Sequence, residues 1–442
     1  MLSQADNDML TQVGPGTAMG ELMREYWIPA LMSSELPGPD SDPIRVRLLG
    51  ENLIAFRDTN GVVGMLDNFC PHRRASLFFG RNEECGLRCV YHGWKFDVDG
   101  NCVDMPSEPA ESNFKAKVRI TAYRCQERNG IVWTYMGTRV EPPPLSSLEA
   151  NMRPDRDYTV STILRNCNWM QALEGDIDTA HLGFLHLGSA DPKALVPGST
   201  DYYTVNVRHP KYNVMDTDYG VTYAAFRPAE ENSTYWRFAN YLLPFYTQIP
   251  TGKLGLMVRF RAWVPIDDTH TMFWSVSATA PEAQGGGRRT DRNGRLVGGS
   301  AGQTEYLPNQ TGWHGRWNLS ADAANDYKID REAQKKNEIY TGITGIHLQD
   351  QAVTESMGAI GDRTQEHLGT SDSMIIKSRR RVLNAARALQ EGVTPPGVDN
   401  PEVYSVRTGD VVLPNEIDWL EGTEHLRKAF VEHPELMPAK QP

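Results

Sequence analysis

The chain has 442 residues, of which 40% are hydrophobic and 23% are charged, and its formal net charge is -11. This length is enough for two domains, each with its own core, and the composition is typical of folded proteins. An acidic surface disfavours a phosphate backbone, so we expect no nucleic-acid partner. The sequence has no secretory signal and no apolar run of the roughly 18 residues that cross a bilayer, so we expect a cytoplasmic protein without a membrane span.

The first predicted elements are helical and the next are strands. Apolar side chains recur at a helical period over residues 19–27, which predicts a helix that ends near Pro29. Over residues 44–133, short alternating runs separated by turns predict strands, and Asn60-Gly61 is a strong hairpin signal. The predicted parts are an N-terminal helical segment (1–40), a β-rich domain (41–145) that ends in a proline-rich linker, and a larger domain (146–442).

The larger domain mixes helices and strands. Its glycine-rich stretch over 284–302 reads as a surface loop rather than a phosphate cradle, because no strand leads into a glycine fingerprint. The predicted elements are helices over 168–182, 328–356 and 372–390 and strands over 202–226, 234–249 and 255–264.

Two short motifs in the β-rich domain each combine a thiol with an imidazole: Cys70-x-His72 and Cys89-x2-His92. Two such loops can hold a [2Fe–2S] cluster, with one iron on the cysteines and the other on the neutral histidines. A zinc site remains open, although zinc modules more often pair Cys-x2-Cys with His-x3–5-His. The other cysteines are expected to pack as small apolar residues rather than form disulfides, and they lie at 85, 102, 125 and 167.

A second group of metal ligands lies within residues 168–186. On a helix, Glu174, Asp178 and His181 form one stripe, but His186 lies about 140° away around the axis. Both histidines can therefore face one ion only if the helix loosens or ends around Gly183. The alternative is that the carboxylates form a solvated helix face and the histidines are core residues.

Two histidines and one carboxylate form the facial triad that leaves open positions on ferrous iron for O₂. The third ligand must come from elsewhere in the chain. Asp350, near the end of a predicted helix, is the best candidate, and Glu355 and Asp362 are weaker ones.

Together the two motifs resemble the Rieske non-haem iron ring-hydroxylating oxygenases. The phrases over residues 86–97 and 349–372 are similar to the phthalate dioxygenase branch, which also contains aryl O-demethylases. One departure is Arg74, where many members of the family have glycine after Cys-Pro-His-Arg.

The resemblance implies an α+β protein in which an N-terminal Rieske [2Fe–2S] β-domain precedes a helix-grip catalytic domain, an antiparallel sheet around a long helix. It places the cluster on Cys70, His72, Cys89 and His92, and a mononuclear Fe(II) on His181, His186 and Asp350. Asn168 is then expected near the iron. Asp178 is expected to bridge to a Rieske histidine of the neighbouring subunit, because members of the branch are commonly homotrimers or multiples of them.

The resemblance also implies a separate NAD(P)H-dependent reductase, with or without a ferredoxin, since the sequence has no nucleotide fingerprint of its own. An aromatic carboxylate converted to a cis-diol is the leading hypothesis, with O-demethylation or another monooxygenation as the alternative. Candidate substrate arginines lie at 208, 237, 259 and 261. Two readings from other classes are an electron-transfer protein with only a Rieske cluster and a zinc-stabilised binding module.

Overall fold

The computed structural model describes residues 1–109, 111–154, 157–278 and 305–436, so the glycine-rich stretch over 284–302 lies outside the described residues. Within these ranges no helix is both long and apolar enough to span a membrane.

The N-terminal segment begins with two short helices, α1 (Gln4–Thr11) and α2 (Ala18–Arg24). A capping hydroxyl starts each helix, because Ser3 accepts a hydrogen bond from the Asp6 N–H and Thr17 accepts one from the Gly20 N–H. The prediction that the second helix reaches Pro29 is wrong. The chain turns after Arg24 into an edge strand, where a proline costs no ladder hydrogen bond.

Two antiparallel sheets follow in the β-rich region. A six-stranded sheet has the order β1-β10-β9-β4-β3-β2, and a four-stranded sheet has the order β5-β6-β7-β8. The Asn60-Gly61 hairpin is confirmed, since it joins β3 to β4 with a φ of 84° at Gly61. The strands are β1 (Trp27–Met32), β2 (Ile44–Leu48), β3 (Glu51–Arg57), β4 (Val63–Asp67), β5 (Arg81–Asn82), β6 (Leu87–Arg88), β7 (Lys95–Phe96), β8 (Cys102–Asp104), β9 (Ala122–Arg128) and β10 (Ile131–Tyr135).

The larger domain is an eight-stranded sheet with helices packed on it. Its strand order is β11-β17-β16-β15-β14-β13-β12, and β18 pairs with β14. The strands are β11 (Tyr158–Arg165), β12 (Lys211–Thr217), β13 (Gly220–Pro228), β14 (Ser233–Leu242), β15 (Tyr246–Gln248), β16 (Val258–Asp267), β17 (His270–Ala278) and β18 (Gly409–Pro414). The helices are α3 (Glu149–Met152), α4 (Trp169–Ile177), α5 (Thr200–Asn206), α6 (Arg331–Lys335), α7 (Ile346–Glu355), α8 (Ser373–Gln390) and α9 (Trp419–Gly422).

The long helix α8 packs against β12 and β13 and buries a stripe of side chains that includes Val382 and Ala386. This antiparallel sheet around a long helix confirms the predicted helix-grip architecture. The prediction of a strand from residue 202 is wrong, because α5 occupies residues 200–206. The hydroxyl of Ser199 caps that helix by accepting a hydrogen bond from the Tyr202 N–H.

The alternation of side chains along β3 connects the two halves of the molecule. Leu53 and Ala55 join a large core that continues into the catalytic sheet, whereas Ile54 and Phe56 join a small core beneath the Cys–His loops. The six-stranded sheet therefore supports the cluster loops on one face and packs toward the catalytic domain on the other.

Candidate metal centres

The two Cys–His loops repeat one backbone arrangement. In the first, the Arg74 N–H donates to the carbonyl of Cys70, and in the second the Gly93 N–H donates to the carbonyl of Cys89. Arg74 and Gly93 close these turns with φ values of 61° and 80°. Equivalent turns thus present one thiol and one imidazole each, and the two loops face one another.

The departure at Arg74 leaves the turn intact. This residue adopts the left-handed backbone conformation that favours glycine. Its guanidinium lies 4.5 Å from the centre of the Phe69 ring and 3.4 Å from a carboxylate oxygen of Asp67. The side chain therefore points away from the ligands.

The four side chains fit a Rieske cluster. Cys70 and Cys89 are buried, and the rings of His72 and His92 lie edge to face at 4.4 Å. Trp94 stacks on His72 at 4.4 Å. The buried Nδ1 of His72 has no hydrogen-bond partner among the described residues, as expected of a nitrogen reserved for a metal ion.

The pKa values of the cysteine and histidine side chains also favour a Rieske cluster at this site. Burial, with the Cys89 thiol as a further cause, raises the pKa of Cys70 to about 11, so this thiol becomes a thiolate only when a cation replaces its proton. Burial and the neighbouring His72 and Arg73 lower the pKa of His92, which keeps its imidazole neutral. Two thiolates and two neutral imidazoles are the donor set of a Rieske [2Fe–2S] cluster. All six cysteines are free thiols in the structure.

The second centre begins where α4 ends. The prediction that this helix continues to about Gly183 is wrong, because α4 stops at Ile177. Asp178 leaves the helical conformation and its carboxylate accepts the Ala180 N–H at 2.7 Å. A 3₁₀ turn over His181–Gly183 follows, and this irregular path aims both histidines at one point.

Helix α7 brings Asp350 to the same point. Its Oδ1 lies 3.2 Å from His186 Nε2 and 3.7 Å from His181 Nε2, and the two nitrogens are 3.1 Å apart. Neighbouring ligands on an octahedral ion with bonds of about 2.1 Å lie about 3 Å apart, so these three atoms fit a facial triad.

The alternative third ligands lie elsewhere. Glu355 accepts hydrogen bonds from Tyr327 and the Asn166 N–H, and the exposed Asp362 caps the Thr364 N–H.

Each histidine of the triad has its own second partner. Nδ1 of His181 lies 3.4 Å from the Asp178 carboxylate, whereas Nδ1 of His186 lies 2.7 Å from Oε1 of Gln349. Such partners fix the tautomer and orientation of metal-binding imidazoles. Sequence reasoning missed Gln349, although it directly precedes Asp350.

The charges within the triad suit a cation. Burial alone raises the pKa of Asp350, but His186 and His181 outweigh it and lower that pKa to about 2. Burial lowers the pKa of His181, but the carboxylates of Asp178 and Asp350 outweigh it and raise that pKa. The pocket therefore favours positive charge.

Two predicted participants lie outside this centre. Asn168 was expected near the iron, but it caps the opposite end of α4. Its side-chain oxygen accepts a hydrogen bond from the Met170 N–H, and its side-chain NH₂ donates to the backbone carbonyls of Thr11 and Asp268. The α4 helix separates it from His181, so its amide is structural.

Glu174 does not share a stripe with the iron ligands, nor is it solvated. It is buried against Arg379 of α8, with its Oε2 2.8 Å from Nη2, and near Arg363 at 3.6 Å. The ion pair of Glu174 with Arg379 connects α4 to the long helix α8.

A second group of two histidines and one carboxylate comprises Asp267, His270 and His314. Its imidazole rings stack at 4.1 Å with an interplanar angle of 16°, so their lone pairs lie in two nearly parallel planes and cannot both point to one ion. Instead each ring lies within hydrogen-bond distance of Asp267, as does Arg47 of β2 at 2.9 Å. Burial alone raises the pKa of Asp267, but His270, the Thr269 N–H and His314 hold it well below its usual range.

A pair of buried arginines lies on the catalytic sheet. Nη1 and Nη2 of Arg227 and Nε and Nη1 of Arg237 have no hydrogen-bond partner among the described residues. Their remaining nitrogens donate to backbone carbonyls of Val207 and Pro250. The arginines are diagonal neighbours on β13 and β14, since Arg227 pairs with Tyr235 and Arg237 with Ala225.

The other candidate arginines differ from this pair. Arg261 is neutralised by Asp176, and Arg259 donates to hydroxyls of Thr251 and Ser277. Arg208 lies over the ring of Phe184. Among the described residues, Arg237 has two unpaired buried donors, whereas Arg261 has one, its Nε, beside the ion pair with Asp176. Sequence reasoning missed Arg227.

Comparison with known proteins agrees with both centres. Residues 26–123 match the Rieske [2Fe–2S] domain family, and residues 134–436 match the family described as LigXa C-terminal domain like. The chain is 47% identical over 416 residues to the 3-chlorobenzoate-3,4-dioxygenase oxygenase subunit of Comamonas testosteroni, covering 94% of this chain and 96% of that one. It is 38% identical over 440 residues to the phthalate 4,5-dioxygenase oxygenase subunit of Pseudomonas putida, covering 95% and 94%.

The fold also matches a solved oxygenase–ferredoxin complex of carbazole 1,9a-dioxygenase, with a TM-score of 0.53, 18% identity and coverage of 90% of this chain and 98% of that one. The chain therefore belongs to the oxygenase subunits of the Rieske non-haem iron oxygenases, in the branch that contains phthalate dioxygenase.

Proposed function

We propose that this oxygenase hydroxylates an aromatic carboxylate to a cis-diol, and that Arg227 and Arg237 hold the carboxylate. The observation that carries the proposal is the set of unpaired guanidinium N–H groups on these two buried side chains, which are 1% and 5% exposed. A buried charge without a partner is strongly unfavourable. An anion that satisfies both guanidiniums removes this cost, and a carboxylate does so with bidentate geometry.

The two arginines lie on the side of the sheet that faces the iron site. Tyr223 shares their face of β13, and burial raises its pKa to about 12. The charges of Arg237, Arg227 and Asp178 all act on the pKa of Tyr223, which supports a position of the arginine pair near the turn that carries His181. The buried hydroxyls of Tyr212 and Tyr223 have no partner among the described residues and offer further donors. The names of the two relatives refer to a chlorobenzoate and a phthalate. Both are aromatic carboxylates, which favours this substrate class.

The reaction needs two electrons. Conversion of an arene to a cis-diol takes up O₂, two electrons and two protons, and both oxygen atoms enter the product. A bound ferrous ion supplies O₂ activation, and the cluster supplies electrons singly. The chain itself orients His181 through Asp178, holds the substrate by its carboxylate and excludes water with a buried sheet face.

We further propose a homotrimer in which Asp178 links His181 to a Rieske histidine of the neighbouring subunit. A carboxylate can accept an imidazole N–H at each of its oxygens, so it can connect two metal-bound rings. A separate NAD(P)H reductase supplies the electrons, with or without a ferredoxin, and the solved oxygenase–ferredoxin complex is a precedent. The free thiols suit a cytoplasmic location.

A single-turnover experiment tests the substrate class without the reductase. The cluster is reduced chemically, the reductant is removed, and O₂ is added with benzoates, phthalates and methoxybenzoates, each beside its methyl ester. We expect a product with both oxygen atoms from the free acids and at least about tenfold less from the esters, because a carboxylate paired with arginine contributes more than 1.4 kcal/mol. Loss of a one-carbon unit would identify an O-demethylase instead.

Single substitutions of the two arginines test whether they bind the carboxylate of the substrate. Arg237→Gln and Arg227→Gln should raise KM for the acid by about 10- to 100-fold, since each removes charge-assisted hydrogen bonds. Arg259→Gln is the control, because that guanidinium already bonds to two hydroxyls. Equal conversion of acids and esters, or an unchanged KM in both pocket variants, would refute the assignment.

A further inference from the structure

The side chain of Gln349 forms two hydrogen bonds that fix its own orientation. Its Nε2 donates to the carbonyl oxygen of Ile343 at 2.7 Å, and its Oε1 lies 2.7 Å from Nδ1 of His186. A backbone carbonyl can only accept, so the NH₂ end must face Ile343 and the oxygen must face the imidazole. It follows that Nδ1 of His186 carries the proton.

This proton position leaves Nε2 of His186 as the nitrogen with a free lone pair. That atom is the one that lies 3.2 Å from Asp350 and 3.1 Å from Nε2 of His181. The amide of Gln349 thus selects the tautomer in which His186 can bind an ion. Gln349 is 7% exposed and the side chain of His186 is 3% exposed, so water does not compete effectively for this bond.

The partner of the other histidine differs in charge and in distance. Asp178 is a carboxylate, lies 3.4 Å from Nδ1 of His181, and its side chain is 23% exposed. Gln349 is neutral, lies closer to its histidine and is held at its far end by the backbone. His181 therefore has a charged partner that is partly exposed, whereas His186 has a neutral partner whose orientation is fixed by the backbone.

We propose that Gln349 is the positioning residue of the iron site, which sets the tautomer and ring orientation of His186 before the ion binds. The inference concerns iron binding by this family's triad and does not depend on the proposed substrate. Gln349 adds no charge, and among the described residues Asp178 is the only carboxylate beyond the triad that pairs with an iron-binding histidine. Any movement of Asp178 toward a neighbouring subunit can then occur while His186 stays in place.

The test measures metal binding and the N–H proton, with no substrate present. Gln349→Leu keeps the side-chain size and removes both hydrogen bonds, whereas Gln349→Glu keeps an acceptor toward His186. The matched control is Gln351→Leu, which removes a buried amide from the same helix. Each protein is loaded with Co(II) in place of iron, and affinity is read from the visible bands of the bound ion.

Gln349→Leu should bind Co(II) about 10- to 100-fold more weakly, as for other losses of a ligand's hydrogen-bond partner. Gln349→Glu and Gln351→Leu should stay within about threefold of the wild type. Proton NMR of the Co(II) protein should show two slowly exchanging imidazole N–H signals in the wild type, and one should be lost only in Gln349→Leu. The Rieske absorbance of each variant serves as the check on folding.

Unchanged Co(II) affinity with both N–H signals retained in Gln349→Leu would overturn the proposal. It would also be overturned if Gln349→Glu lost as much affinity as Gln349→Leu, since the acceptor would then be irrelevant. If Gln349→Leu does not fold, Gln349→Asn makes the same test, because its shorter side chain cannot reach both partners. None of these outcomes bears on the arginine pocket, so a failure here leaves the proposed substrate class intact.

Discussion

The two metal centres of this chain are built in opposite ways. The cluster ligands lie in two short loops of one small region, between β4 and β7, and matching turns hold them. The iron ligands combine one irregular turn after α4 with an aspartate from α7, far along the chain. One centre is local and symmetric, and the other is long-range and asymmetric.

This difference shows what each centre demands of the fold. The cluster site needs only two tight turns, which a few residues can encode. The iron site needs α4 to stop early and α7 to dock beside it, with Asp178 and Gln349 orienting the histidines. Its geometry therefore depends on packing throughout the catalytic domain.

The largest expected effect is the loss of one metal centre while the other centre stays intact. His186→Ala removes an iron ligand, so turnover should fall to background while the red-brown colour of the cluster remains. Cys89→Ser should do the reverse, losing acid-labile sulfide while the iron site still binds Co(II). Visible spectra, metal analysis and single turnover measure both. An active His186→Ala protein would contradict the assignment of the triad.

The next effect concerns the link between the centres. Asp178→Asn should leave both metals bound yet slow turnover by about 10- to 100-fold, because the variant loses the charge that orients His181. Asp362→Asn, which removes an exposed carboxylate that only caps a turn, is the control. Rapid-freeze measurement of cluster oxidation gives the rate of electron transfer. Undiminished turnover would remove Asp178 from the mechanism.

A smaller effect is expected where the two halves meet. Asp267 joins Arg47 of the β-rich domain to two histidines, and its side chain is 12% exposed. Asp267→Asn should lower the free energy of unfolding at pH 7 by about 1–3 kcal/mol, because the partners lose a buried charged acceptor.

The sign of its pH dependence follows from the depressed pKa of Asp267. The stabilisation is complete above the ordinary aspartate pKa of about 3.9 and is lost progressively as pH falls below it. Thermal melts of both proteins between pH 3 and 8 should therefore show a constant difference above about pH 4 that begins to narrow toward pH 3. A constant difference across this range would contradict the role of the carboxylate.

The smallest effect compares the two cluster loops. Arg74→Gly should change the free energy of unfolding by less than about 1 kcal/mol, because relief of the left-handed backbone opposes the greater flexibility of the unfolded chain. At the equivalent position, Gly93→Ala would place a Cβ 2.5 Å from Cγ of Pro106 and should cost about 1–3 kcal/mol. Denaturant unfolding and the cluster spectrum measure both. Equal effects would contradict the predicted clash between the added Cβ at residue 93 and Pro106.

Much of the site could be predicted from the sequence because its ligands are chemically distinctive. Cysteine and histidine at short spacing identified the cluster loops, and the paired histidines required a break in the helix. The break itself was misplaced, since the capping bond of Asp178 to the Ala180 N–H leaves no strong sequence signal. Asn168 was assigned to the iron by resemblance, and only its hydrogen bonds show that it caps α4.

By itself, the sequence determined the family and predicted the cluster ligands and both iron histidines, because these depend on residue type and on spacing along the chain. Only the tertiary structure decided between Asp350, Glu355 and Asp362, placed Gln349 behind His186 and set Arg227 beside Arg237. The physical reason is that hydrogen bonds and charge pairs act over a few ångströms in space. Residues distant in sequence come within that range only when the helices and strands pack together.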